Sequence, residues 1–165
     1  MATATSRKAL PLDASSRKET AAKLQTFLYN LISLRLGVQQ VHWNIQGNRF
    51  YGVHTMLGEF YEALDHEIDE MAERILALGH PADGRPDRVA AESVLPASPE
   101  GFITIENGLT HLLSQYEAFD HHTEDTRAEV EDIDAVTHDM LVHVLELSQK
   151  QQWMIRSHFP SADAR

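Results

Sequence analysis

Two long runs of three- and four-residue apolar spacing, set almost end to end and followed by a proline-studded stretch, leave this chain few ways to fold. The first begins near Ser16 and places Leu24, Phe27, Leu28, Leu31, Leu34, Val38 and Val41 on one stripe, with Gly47 as its stop. The second carries Val53, Leu57, Phe60, Leu64, Ile68, Met71, Ile75 and Leu78 and ends at Gly79. With a tight turn at Gly47-Asn48, the two helices double back on each other as an antiparallel pair. Residues 79–101 contain Pro81, Pro86, Pro96 and Pro99, which predicts a long crossing connection with one short helix around Arg88–Val94. Ile105, Leu109, Leu112, Tyr116 and Phe119 mark a third helix. Val136, Met140, Leu141, Val144, Leu145, Leu147 and Ile155 mark a fourth that ends before Pro160. No segment alternates with period two. The expectation is an all-α four-helix bundle over residues 17–160 with its long connection between the second and third helices. A flexible basic tail at 1–16 and a short tail at 161–165 flank it.

Length and composition narrow the class further. At 165 residues, 42% of them apolar, the chain is one domain with enough apolar surface for a real core. No run approaches the roughly 18 apolar residues that a membrane span needs. The N-terminal stretch has no apolar segment of the kind that marks a secretory signal, so the expectation is a soluble cytoplasmic protein. With no cysteine, disulfides, thiolate metal sites and cysteine nucleophiles are excluded. The charge is uneven: residues 1–18 carry +3 and the rest −14, within a total of −11. An acidic body attracts cations and repels nucleic acid, so any DNA contact falls to Arg7, Lys8, Arg17 and Lys18.

The polar side of the second helix carries the chemistry. From Glu59 to Glu73 there are seven acids (Glu59, Glu62, Asp65, Glu67, Asp69, Glu70, Glu73) and no Lys or Arg before Arg74. At about 100° per residue, His54, Glu62, Asp65, His66, Asp69 and Glu73 fall within roughly 120° of arc. A solvated acidic face is the plain account of such a run. His42, at the end of the first helix, and His54, in the second turn of the second, change that balance, because imidazole with carboxylate suits iron or zinc. Asp69 and Glu73 are one turn apart and can share a cation. His54 and Asp69, however, are separated by about 22 Å along one helix at 1.5 Å per residue. One chain cannot bring them to one ion. Two chains related by a two-fold axis can, with His42 and His54 of one facing Asp69 and Glu73 of the other, which makes two equivalent sites. No histidine follows an acid by three residues, which argues against the Glu-x-x-His di-iron centres found inside single bundles.

The run from His42-Trp43-Asn44 through Gly47, Phe50 and His54, with Asp69 and Glu73 downstream, resembles the signature of the Dps family, the miniferritins named as DNA-binding proteins from starved cells. The four-helix order extends the resemblance over nearly the whole chain. It implies a ferritin-like bundle assembled into a hollow dodecamer, with ferroxidase centres at two-fold interfaces. Iron(II) would bind His42, His54, Asp69 and Glu73, hydrogen peroxide or less effectively oxygen would oxidise it, and ferric mineral would collect inside. The family usually places an acid four residues after the second histidine; here that position is Gly58, which leaves either Glu62 or His66 as a compensating ligand or a weaker site completed by water. Such shells also line pores with the turn between the third and fourth helices, which makes Glu131, Asp132, Asp134 and Asp139 pore candidates. A DNA-compacting shell with a weakened oxidation site, associated with the nucleoid through the basic tail, is the alternative. A plain helical scaffold with polar histidines is a third reading.

Overall fold

The computed structural model describes residues 12–160. Helix α1 spans Ala14–Asn44, α2 Phe50–Ala77, α3 Pro86–Glu92, α4 Ile105–Val130 and α5 Ala135–Arg156. Two short extended pieces, β1 (Ile45–Gln46) and β2 (Ile103–Thr104), pair in parallel with Ile45 opposite Ile103. The expected all-α bundle is present, and this bridge is the addition. At two residues a strand shows no periodicity, and this one arises where the crossover returns beside the end of α1.

Local chemistry sets the boundaries. Asp13 caps α1 by accepting a 2.8 Å hydrogen bond from the Ser16 N–H. Helix therefore starts at Ala14, inside the span read as a flexible tail, and Arg17 and Lys18 belong to it. Residues 1–11, with Arg7 and Lys8, and residues 161–165 lie outside the described residues. The expected stop at Gly47 comes three residues earlier, after Asn44, where Ile45 turns extended to pair with Ile103. Helix α2 ends at Gly79 (φ 91°), and the His80 N–H reaches back to the Ile75 carbonyl. The short helix runs two residues earlier than expected. Pro86 opens it with its preset φ, and the Val94 N–H leaves it to bind the buried Asn30 side chain at 2.9 Å.

The stripes read from sequence form the core. Leu24, Phe27, Leu31, Leu34, Val38, Leu57, Leu64, Leu112, Tyr116 and Phe119 are all buried. Val136 is the exception at 56% exposed. Its neighbour Thr137 faces inward instead and donates to Asp134, so the first turn of α5 is rotated relative to its apolar pattern. Cross-bundle contacts fix the helix directions. Arg35 of α1 meets Asp65 of α2, and Arg74 of α2 meets Asp134 at the start of α5. Tyr116 of α4 donates to Gln151 of α5 at 2.6 Å. Each of these pairs is antiparallel.

Candidate metal centre

His42 lies in the last turn of α1 and His54 in the second turn of α2, so the tight connection between the helices sets them face to face. Their rings stack with centroids 3.7 Å apart and planes 18° from parallel. Each Nδ1 approaches the other residue's backbone carbonyl, His42 Nδ1 to the His54 oxygen at 2.8 Å and His54 Nδ1 to the His42 oxygen at 3.0 Å. A carbonyl oxygen can only accept, so both Nδ1 atoms carry the proton. Both Nε2 atoms are thereby left with lone pairs. This is the orientation that a metal-binding imidazole requires, and the carbonyls act as the outer partners that hold it. For His42 the exchange also satisfies one of the last-turn carbonyls that a helix leaves without an internal partner.

Burial lowers the His42 pKa below its ordinary value, with a smaller contribution in the same direction from the His54 charge. The hydrogen bond to the His54 backbone and the Glu62 charge act the other way. The net effect favours the neutral, ligating form. Aromatic rings wall the pair: Phe50 stacks on His54 at 4.9 Å, and Tyr61 meets His42 edge-on at 5.3 Å. Arg35 in turn lies over Tyr61 at 5.1 Å. Trp43, beside the pair, is 63% exposed and is not part of the core.

Gly58 faces the same pair. A Cβ built there would sit 3.6 Å from His42 Cε1, an ordinary contact, so the position points at the imidazoles and is simply without a ligand. Glu62 is exposed one turn further along, close enough for its charge to act on His42. Asp65 is engaged by Arg35 at 2.7 and 2.9 Å. His66 lies away from the pair, on the seam between α2 and α5.

Asp69 and Glu73 are exposed and one turn apart, far down α2 from the histidines. Among the described residues, no three of His, Asp and Glu converge on one point within the chain. The histidine pair and the acid pair therefore stand apart, toward different ends of the α1–α2 pair.

The candidate pore residues separate into two kinds. Glu131 and Asp132, on the α4–α5 turn, and Asp139, on α5, are exposed. Asp134 is 4% exposed and takes no part in a solvent-facing ring. It caps α5, accepts from Thr137, and pairs with Arg74 at 2.6 Å. Its partner Arg74 is 60 residues away, so nothing in the local sequence separates it from a pore acid. Tyr61 and Arg35 carry no signal in the sequence beyond their helical phase beside His42 and Asp65.

Residues 21–162 match the ferritin-like domain family. DNA protection during starvation protein of Mycolicibacterium smegmatis is 33% identical over 145 residues, covering 87% of this chain and 79% of that protein. The chain belongs to the Dps family. DNA protection during starvation protein 2 of Deinococcus radiodurans is also 33% identical, over 140 residues that make up 85% of this chain and 58% of the longer relative. Among solved structures, Mycobacterium smegmatis Dps superposes with a TM-score of 0.90 at 29% identity, covering 97% of this chain and 98% of that one. Dps92 from Deinococcus radiodurans gives a TM-score of 0.86 at 31% identity over 90% of each chain. This Dps-family miniferritin therefore has the fold expected from its helix order. Among its described residues, no helix is long and apolar enough to cross a membrane.

Proposed function

We propose that this Dps-family chain assembles as a dodecameric shell that binds iron(II) at two-fold interfaces, oxidises it with hydrogen peroxide in preference to oxygen, and stores the ferric product. One observation carries the reading. Two imidazoles are held with free Nε2 lone pairs at one end of the α1–α2 pair, while the carboxylates that would complete their ligand set lie on the same helix about 22 Å away at 1.5 Å per residue. A second copy related by a two-fold axis supplies the missing half to each. The donor set fits the substrate: neutral imidazole suits ferrous iron, and carboxylate stabilises the harder ferric product. In the reaction two ferrous ions each give up one electron. Hydrogen peroxide takes both with two protons, its O–O bond breaks, and two waters form. His42 and His54 position the ion, and Asp69 and Glu73 offset its charge. Glu131, Asp132 and Asp139 are the acids proposed to draw cations inward.

The test uses two double variants. His42→Ala/His54→Ala and Asp69→Ala/Glu73→Ala should each be inactive in anaerobic iron(II) loading followed by peroxide. Dissociated, mixed and reassembled, they should recover activity, because a mixed pair keeps one intact composite site. No recovery in shells shown by mass to be mixed would defeat the composite site. The names of the relatives favour a second role in DNA protection, in which the shell sits with the nucleoid in the cytoplasm and uses Arg7, Lys8, Arg17 and Lys18 against phosphate. Gel retardation that weakens steeply with salt would support that role.

A further inference from the structure

Beside the histidine pair, α1 and α2 are clasped by four side chains that are not themselves ligands. Arg35 and Gln39 stand one turn apart on α1, and Tyr61 and Asp65 one turn apart on α2. The Arg35 guanidinium donates to both Asp65 oxygens, at 2.7 and 2.9 Å, and to Gln39 Oε1 at 2.5 Å. Its carbon lies 5.1 Å from the centre of the Tyr61 ring. Tyr61 in turn meets His42 with centroids 5.3 Å apart and planes at 78°. A planar fork engaged by both carboxylate oxygens has little freedom left, so the tyrosine packed against it is held as well. The contact with His42 gains weight from what α2 lacks one turn earlier. Gly58 faces the same imidazole, with its Cβ position 3.6 Å from His42 Cε1, but brings no side chain to abut it.

We propose that Tyr61, clasped by Arg35 and Asp65, is a positioning residue of the metal centre, which keeps the His42 imidazole in the orientation that leaves Nε2 free for the ion. The inference rests on the composite-site reading and deepens it. The Nδ1 hydrogen bond to the His54 carbonyl fixes one edge of the ring, and the stack on His54 fixes one face. The near-perpendicular contact with Tyr61 adds a third restraint. A ligand ring ordered before the metal arrives loses less freedom on binding, so affinity rises. The clasp is also electrically quiet. A lone guanidinium two ring contacts from the histidines would repel a cation, whereas Asp65 offsets its charge where it stands. Asp65 thus serves the site through Arg35 and Tyr61, and not as a ligand.

Cobalt(II) titrated into the assembled, metal-free protein and followed by its visible absorption tests the proposal, with His42→Ala/His54→Ala as the blank. Tyr61→Leu should weaken binding by about tenfold, the low end of what an outer partner of a metal ligand contributes. Tyr61→Phe keeps the ring and should recover the affinity that Tyr61→Leu loses. Asp65→Asn frees the Arg35 charge and should weaken binding more at low salt than at high salt. A crystal structure of the metal-free Tyr61→Leu shell should show His42 in more than one orientation, a readout that needs no metal. Wild-type affinity in Tyr61→Leu, with only Tm lowered, would mean that the clasp merely braces the two helices and would overturn the proposal. So would a Tyr61→Phe as damaging as Tyr61→Leu, or an unmoved His42 ring. If the wild type binds no more cobalt(II) than the blank, the composite site itself fails and the positioning role falls with it.

Discussion

Gly58 sits where a side chain would point at His42 Cε1, 3.6 Å from its own Cβ position, with no backbone in the way. Gly58→Asp should therefore fold normally and place a carboxylate beside the histidine pair. Iron(II) affinity in anaerobic titration should rise by about tenfold, the low end of what a supporting group at a metal site contributes. If Glu62 compensates, Glu62→Ala should slow oxidation more than Glu59→Ala, since the Glu62 charge is the one that acts on His42. Equal and negligible effects of all three changes would show that this stretch is only surface. Asp134 gives a residue-scale test of stability. Burial alone would raise its carboxyl, but hydrogen bonds from Thr137 and Arg74 and the Arg74 charge outweigh burial and hold it below the usual 3.8. A carboxylate with a depressed native pKa stabilises the fold fully above its unfolded value and loses that contribution as pH falls through the native value. Arg74 is 10% exposed, so Asp134→Asn should cost about 3 kcal/mol near neutrality by leaving a buried charge unpaired. The gap between variant and wild-type Tm should then close as pH drops below 3.8. A gap unchanged at low pH would mean that the charge is not responsible.

At the scale of elements, the end of α1 is held by the start of α4. A Cβ at Gly108 would lie 2.9 Å from Val41 Cγ1 and 3.1 Å from Ile45 Cγ2, closer than packed atoms tolerate. Gly108→Ala should push the last turn of α1 away from α4 at a cost of about 2 kcal/mol, typical of overpacking. Because His42 is in that turn, the same change should slow iron oxidation in stopped-flow measurements beyond what the lost stability explains. The crossover is anchored in a similar way. The Asn30 side chain, buried in α1, accepts from the Ser93 hydroxyl at 3.2 Å and from the Val94 N–H at 2.9 Å. This amide follows the end of α3 and, with Gln25 on the Asp83 backbone and Gln115 on the Pro96 carbonyl, ties the long connection to the bundle. The proline count marked the connection as irregular, but not where it would be tied down.

For the whole molecule, the proposed composite site makes assembly a condition of activity. A stable monomer in light scattering with full ferroxidase activity would overturn the composite site, whereas a dodecamer that loses activity on dissociation is the expected result. The charge distribution bears on the second role. A body carrying −14 repels nucleic acid, so binding should depend on the basic residues near the N-terminus and vanish at moderate salt. Arg17 is partly held by the Leu12 carbonyl at 2.5 Å, whereas Lys18 is exposed on the second turn of α1. Lys18→Gln should consequently weaken gel retardation more than Arg17→Gln, with iron oxidation unchanged in both.

The order of helices, the apolar stripes, the long crossover and the distance between the histidine and carboxylate pairs were all legible in the amino-acid sequence. Each depends only on helical phase and rise, which are local and regular. Tertiary structure alone decided which nitrogen of His42 and His54 is free. It also turned Asp134 from a pore acid into the partner of Arg74, rotated Val136 outward, and carried Glu67 out of the solvated run into the α2–α5 seam. These outcomes depend on the axial shift and rotation of one helix against another. A period of 3.6 residues fixes which face a side chain occupies, but not which atom of a neighbouring helix it meets.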